Sequence, residues 1–277
     1  MSTLFVSPCA GLGWFPHLPP EIGAVMYPQD ALQVCEYYDR LILFNGMLDR
    51  WYFETPFLMH PRAAVYIWDP MCDTANAPSE ELLDFLTQYY KVFTFDRADA
   101  DAYGLQYAGP VYWPQELPEA AQAADLLFLG QDKDRLQQLR DTRQTVKNGK
   151  LKPSFHVVAH GIAAEKATDW YLGPDHMTYE AYLARLAGAN AVLEIIQDGQ
   201  SGCSQRAMEA LFYGRKLVTN NAAVTQEAFY CPENVFILGQ DKNLAAWLKR
   251  ACLPVEDAVR DLYRADNWAD RIFEEGT

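Results

Sequence analysis

The sequence predicts an α/β protein of two Rossmann-like domains facing a cleft. Three observations carry that expectation. Short runs rich in β-branched and aromatic residues alternate with helix-patterned segments along the whole chain. Those runs are apolar throughout, as strands buried on both faces of a parallel sheet are. A proline- and alanine-rich stretch, PQELPEAAQAA (114–124), interrupts the alternation once and then it restarts, as a linker would. A length of 277 residues suits two domains of ordinary size, divided here as 1–118 and 119–261 with a helical end over about 262–277.

Taken in order, STLFVS (2–7) reads as a strand. DRLILFN (39–45) and AAVYIWD (63–69) are the next two. SEELLDFLTQYY (79–90) has a serine at the N-cap and apolar residues at helical spacing. KVFTFD (91–96) is a strand, RADADAYG (97–104) a short helix and LQYAGPVYW (105–113) an extended piece. After the linker, DLLFLGQ (125–131) is a strand and KDRLQQLRDTRQTVKNG (133–149) a polar-faced helix closed by glycine. FHVVAHG (155–161) is a strand and MTYEAYLARLAGA (177–189) a helix. AVLEIIQ (191–197), KLVTNN (216–221) and NVFILG (234–239) are strands, with CSQRAMEALFYG (203–214) and NLAAWLKRAC (243–252) as helices. The end of the chain from about Val255 is acidic, aromatic and helical.

Half of the residues are hydrophobic and 13% are aromatic, ample for packed cores. No apolar run approaches the ~20 residues that span a bilayer, and the N-terminus lacks the charged start and apolar stretch of a signal peptide. Six cysteines lie far apart without a CxxC pair. That spacing predicts reduced thiols in a cytoplasmic protein and no disulfide framework. Among five histidines only His156 and His160 are close, and they fall on a strand, so no metal site is expected. A net charge of −14 repels nucleic acid and anionic lipid. An anionic small ligand would need a pocket with its own positive potential.

One stretch offers such a pocket. DGQSGCSQRAMEAL (198–211) follows the apolar run AVLEII, giving a strand, a glycine-bearing turn and a helix. A helix start leaves backbone N–H groups unpaired and carries about half a positive charge from the helix dipole. Gly199 and Gly202 allow close approach of backbone to a diphosphate, Ser201 and Ser204 can cap or donate, and Arg206 adds a full charge. Glu209 lies roughly two turns in, where a carboxylate can accept from two ribose hydroxyls. The plain alternative is a tight corner in which Ser201 or Gly202 caps the helix. The stretch is neither a GxGxxG fingerprint nor a Walker loop.

The longer passage DGQSGCSQRAMEALFYGRKLVTNNAAVTQEAFYCPENVFIL resembles the donor-binding half of bacterial glycosyltransferases of the GT-B fold, of the surface-polysaccharide and lipopolysaccharide type. VYIWDPMCDTA, KVFTFDRADADAYGLQYAGPVYW and DLLFLGQDKDR resemble other segments of that group in the same order, so the likeness covers about residues 38–240. The resemblance implies that Gly199, Gln200, Ser201, Gly202, Cys203 and Ser204 cradle a donor diphosphate with Arg206, and that Glu209 meets the ribose. Asn220 and Asn221 would line the same pocket, WYLGPDHMTYEAY would approach the nucleobase, and His160 and Gly161 would face the cleft. It implies an acceptor-side N-terminal domain, a nucleotide-sugar-binding C-terminal domain and a last helix that returns to the first. The implied reaction moves a sugar from a nucleotide-sugar donor to a hydroxyl of a glycan or small-molecule acceptor, with no metal and no separate cofactor. Asp69, at the end of AAVYIWD, is the first candidate for a general base and His160 the second. Capping the turn before Pro70 is the competing reading of Asp69, and a satisfied strand-end histidine that of His160. Cys203 and Gln205 stand where the group more often has a larger aliphatic residue and a methionine. The pair of glutamates eight positions apart seen in many retaining members is absent, since Ser201 stands eight before Glu209. The rival readings are a GT-B-like binding or assembly subunit without transfer activity and, less favoured, a dinucleotide oxidoreductase.

Overall fold

The computed structural model describes the chain except for residues 13–14, 16–17, 46–49, 55, 159–169, 173–176 and 275–277. His160 and Gly161, and Gly173 to His176 of the proposed nucleobase segment, therefore lie outside the described residues. The chain divides into two compact units. One comprises Met1–Trp113, Asp198–Gly202 and Asp261–Thr277; the other comprises Pro114–Gln197 and Cys203–Arg260.

The first unit holds six parallel strands: β1 (Thr3–Val6), β2 (Gly23–Met26), β3 (Arg40–Phe44), β4 (Ala63–Ile67), β5 (Lys91–Thr94) and β6 (Gln106–Tyr107). Their order is β2-β1-β3-β4-β5-β6. Side chains alternate across a strand, so each run supplies two cores. Leu4, Val6, Leu41, Leu43, Val65 and Ile67 pack one face with Leu83, Phe85 and Leu86 of a helix. Phe5, Ile42, Phe44, Ala64, Tyr66 and Phe93 pack the other with Ala265, Trp268, Ala269 and Ile272. Among the helices are α1 (Pro28–Ala31), α2 (Arg50–Phe53), α3 (Glu80–Tyr89) and α4 (Arg97–Tyr103). Ser79 caps α3, accepting from Leu82 N at 3.2 Å.

The second unit holds β7 (Leu126–Gln131), β8 (Pro153–Val158), β9 (Tyr171–Leu172), β10 (Ala191–Glu194), β11 (Lys216–Thr219) and β12 (Val235–Ile237). The order is β12-β11-β10-β7-β8-β9, again all parallel. In chain order this is the 3-2-1-4-5-6 arrangement of a doubly wound dinucleotide-type sheet. The helices are α5 (Leu136–Asn148), α6 (Tyr179–Ala187), α7 (Gln205–Phe212), α8 (Leu244–Leu248) and α9 (Asp257–Asp261). The chain's last helix, α10 (Ala265–Glu274), is the one packed in the first unit, where Trp268 is fully buried and its Nε1 donates to Ala108 O at 3.0 Å.

The two Rossmann-like sheets predicted from the alternation are present. Two strands were not legible in it: β2 and β9. Both are edge strands; β2 opens on a glycine and is only partly buried, unlike the fully buried β1 of equal length, and β9 has two residues. The extended piece 105–113 likewise contains only the two-residue edge strand β6. No described helix is long and apolar enough to cross a membrane.

Candidate functional site

The strand order of the second unit marks one place for a ligand. From β7 the chain winds outward to β8 and β9, then returns to lay β10 against the other side of β7. In doubly wound sheets ligands bind outside the carboxyl ends of the strands at such a reversal, here the ends of β7 and β10. Two arginines stand there. Arg135, just before α5, donates from Nη2 to Gln131 O at 3.0 Å and from Nε to Asp132 O at 3.2 Å, and its Nη1 donates to Ile195 O. It thereby spans the ends of both strands. Arg206, in the first turn of α7, donates from Nε and Nη2 to Leu129 O at 2.9 and 2.7 Å, its guanidinium 5.1 Å from the centre of the Phe128 ring. Gly130 makes that placement possible, because a Cβ there would lie 2.2 Å from Arg206 Nη2. Burial lowers the pKa of Arg135 to about 10, with repulsion from Arg206 adding to the effect and Asp132 and Glu194 opposing it. The Arg135 side chain therefore stays cationic at neutral pH.

Beneath them lies Glu194, the last residue of β10, with no exposed surface. Its Oε1 accepts from Ser204 N at 2.6 Å and its Oε2 from Thr219 Oγ1 at 2.7 Å. Burial raises its pKa above the ordinary carboxylate value. A carboxylate set at a helix start complements the dipole there. Ser204 is the N-cap of α7, its Oγ accepting from Arg206 N at 3.3 Å. The cap is therefore Ser204, not Ser201 or Gly202.

Further along α7, Glu209 is 3% exposed, and its two oxygens accept from two phenols of α6. Tyr179 donates to Oε1 at 3.1 Å and Tyr182 donates to Oε2. Burial raises the carboxyl pKa to about 7, against the hydrogen bond from Tyr182, the charge of Arg206 and the bond from Tyr179. Asn220, past the end of β11, accepts from Ile196 N at 2.8 Å and donates to Ile196 O at 3.3 Å, extending the sheet by a side chain. Asn221 caps the 3-10 turn Ala222–Gln226, accepting from Ala223 N at 2.9 Å, and its Nδ2 lies 3.7 Å from the buried thiol of Cys203.

The glycine turn itself belongs to the first unit over Asp198–Gly202. Ser201 N and Gly202 N donate to Asp96 Oδ2 at 2.6 and 2.7 Å, and Ser201 Oγ donates to Asp96 Oδ1. Asp96 also caps α4, its Oδ1 accepting from Ala98 N at 2.9 Å and Asp99 N at 3.2 Å. The N–H groups predicted to meet a phosphate thus hold an internal carboxylate. Gly202 is required there: a Cβ would lie 2.5 Å from the Phe95 ring and 2.8 Å from Phe95 O. Gln200 Nε2 donates to Gly202 O at 2.8 Å, and Gly199 packs beside Cys72.

Asp69 is half-buried beyond β4, with Asn45 Nδ2 3.5 Å from its Oδ2. Trp68 is packed among Phe15, Phe44 and Tyr66. Nearby, Asp99 Oδ2 accepts from Met71 N at 2.9 Å, and burial raises the Asp99 pKa to about 6.

Arg135, Glu194, Tyr179, Tyr182 and Asp96 were absent from the residues singled out by sequence. A glutamate inside the apolar run AVLEII was a signal for one of them, since an ionisable residue in a buried strand needs partners. The resemblance segment DLLFLGQDKDR already contained Arg135.

No family model matches the chain, and no curated protein does. Solved structures do. AviGT4, a glycosyltransferase involved in avilamycin A biosynthesis, is 14% identical over 99% of this chain and 96% of its own, with a TM-score of 0.55. The DNA-modifying enzyme β-glucosyltransferase, solved with and without uridine diphosphoglucose, is 12% identical over 95% of this chain and 88% of its own, with a TM-score of 0.47. The chain has a GT-B fold. At this identity the likeness fixes the fold and leaves the chemistry to the site, because one fold hosts many reactions.

Proposed function

We propose that the protein is a glycosyltransferase that moves a sugar from a nucleotide-sugar donor to an acceptor hydroxyl in bacterial surface-glycan assembly. The observation that carries this reading is the pair Arg135 and Arg206 at the switch point of the second sheet, within a chain of net charge −14. So acidic a protein attracts a diphosphate only where cations are concentrated, and here they stand beside a helix start. The GT-B fold supports the reading as a scaffold used by a neighbour described as a glycosyltransferase.

In the reaction, the bond from the sugar's anomeric carbon to the diphosphate oxygen breaks and a bond to the acceptor oxygen forms. The nucleoside diphosphate leaves with the electron pair. Arg206, Arg135 and the start of α7 stabilise the charge that develops on it. Glu209 accepts from the ribose hydroxyls, and Asn220 and Asn221 line the pocket. The acceptor's proton passes to the Asp69 carboxylate as general base. Because Ser201 N and Gly202 N serve Asp96, the attraction for phosphate rests mainly on the two arginines. That same occupancy favours the second reading, a GT-B-like subunit that binds a nucleotide without transferring a sugar.

A thermal-shift series with UDP, GDP, CMP and NAD tests the proposal. One nucleoside phosphate should stabilise the protein by about 2.7 kcal/mol at 100 times its Kd, and Arg206→Ala should cut the gain to about 0.4–1.4 kcal/mol at the same concentration. Slow release of free sugar from the matching sugar nucleotide would favour transfer chemistry over the subunit reading. A flat response to all four compounds, or a preference for NAD, would sink it.

A further inference from the structure

The most exposed large apolar side chains of the protein gather in one place. Among the described residues Met59, Met1 and Tyr37 are 79%, 78% and 75% exposed, well above Trp51, the next, at 55%. All three stand just ahead of strands of the first sheet: Met1 before β1, Tyr37 before β3 and Met59 before β4. Tyr89 before β5 and Tyr103 before β6 are exposed at the same level of the sheet. Because the strands are parallel, these five positions share its amino end, in the spatial order β1-β3-β4-β5-β6. Contacts between neighbouring strand starts hold that order. Asp39 N donates to Ser2 O at 3.1 Å, His60 Nε2 lies 2.9 Å from Tyr38 O, and Ala64 is in register with Lys91. With strands about 4.8 Å apart, the line spans about 19 Å.

A single exposed methionine or tyrosine needs no explanation, but a line of them across a sheet end does. Tyrosine and methionine are enriched at protein interfaces. The charges beside the line point to the partner. Exposed Glu36 and Asp39 lie at the start of β3 and exposed Lys91 at the start of β5, on either side of β4. We infer that this end of the first sheet is the contact surface for a second copy of the chain, related by a two-fold axis at the start of β4. Such an axis exchanges β3 with β5 and β1 with β6. It sets Met59 against its own copy, Tyr37 against Tyr89 and Met1 against Tyr103. It also sets Glu36 and Asp39 of each copy against Lys91 of the other, so apolar groups meet apolar groups and charges meet their opposites. Arg62, also at the start of β4, is turned aside: its guanidinium lies over the Phe273 ring, 5.4 Å from the centre, and Nη1 is 3.0 Å from Met1 Sδ. That keeps like charges from meeting on the axis. An anionic lipid surface would instead face Glu36 and Asp39 in a chain of net charge −14.

The test is sedimentation equilibrium of the full chain from low to high micromolar concentration, where the wild type should dimerise. Met59→Lys, which places two ammonium groups on the axis, should raise the dimer Kd by about 30-fold or more. Lys91→Glu and Glu36→Lys should each raise it by about two- to tenfold, since each acts twice across the two-fold. The double variant restores opposite charges and should recover most of that loss, which a general effect on folding would not do. All three side chains are exposed, so circular dichroism should show the variants folded as the wild type is. A monomer at every concentration overturns the inference. So does a dimer that Met59→Lys leaves unchanged, or a double variant that dimerises no more tightly than either single one. Co-sedimentation of a monomeric wild type with phosphatidylcholine–phosphatidylglycerol vesicles would overturn it in favour of a lipid surface.

Discussion

The two sheets are built alike and carry different polar groups where their strands end. Among the described residues each has six parallel strands with apolar residues on both faces. Beyond the carboxyl ends of the first sheet stand Asp69, Asp96 and Asp99, with Asn45 beside them. Beyond those of the second stand Arg135 and Arg206 with two carboxylates, Asp132 and the buried Glu194, which accepts from Ser204 N and Thr219 Oγ1. The difference teaches that one architecture can carry different polar groups at the ends of its two sheets, which the proposed function reads as a proton-accepting end and a phosphate-holding end. The lysine of β11 shows that a buried cation alone is not a site. Lys216 Nζ donates to Trp247 O, Leu248 O and Arg250 O and so closes the end of α8.

Four measurements would break or sharpen this contrast. The largest effect is expected at the acidic end, where Asp69→Asn should lower turnover of the sugar nucleotide by about 10²- to 10⁴-fold. Nucleotide affinity should stay unchanged; parallel loss of both would move Asp69 out of the base role. Next comes Asp96→Ala, which removes a helix cap and the carboxylate that binds Ser201 N and Gly202 N. It should cost about 3 kcal/mol in urea denaturation, whereas a change below about 1 kcal/mol would show that water replaces it. At the cationic end, Arg206→Ala should weaken nucleotide binding about 10- to 100-fold, the worth of a hydrogen bond to a charged group. Arg135→Ala should act in the same direction.

The smallest effect is a slope. Glu209 and Asp99 both have folded pKa values above those of the unfolded chain, about 7 and about 6. The native protein therefore binds more protons than the unfolded one between about pH 4 and 7. The stability these groups contribute is present at the acidic side and lost as pH rises through their folded values. Tyr179 and Tyr182 from α6 and Arg206 from α7 are the groups facing Glu209, and Glu209→Gln should flatten the part of the slope between pH 4.5 and 7. An unaltered slope in urea midpoints would assign it elsewhere.

Local features of the chain were readable because their causes are local. Ser79 caps α3 where a short polar residue precedes an apolar period, as its sequence predicts. The central strands announced themselves by continuous apolar composition, while the half-buried edge strand β2 and the two-residue β9 did not. The strand–turn–helix at 191–212 was equally plain. What occupied its N–H groups was not, since Asp96 lies 105 residues from Ser201.

The sequence by itself determined two parallel α/β sheets, a helix over about 203–214 after a glycine turn, and a charge that restricts any anionic ligand to a local cationic pocket. Periodicity, capping and net charge are properties of neighbours along the chain or of its sum. Tertiary structure alone decided that Asp96 fills the glycine turn, that Arg135 joins Arg206 at the reversal of strand order, and that two tyrosines hold Glu209. Those are pairings of polar groups brought together by burial, where each buried donor and acceptor must find a partner wherever the fold supplies one.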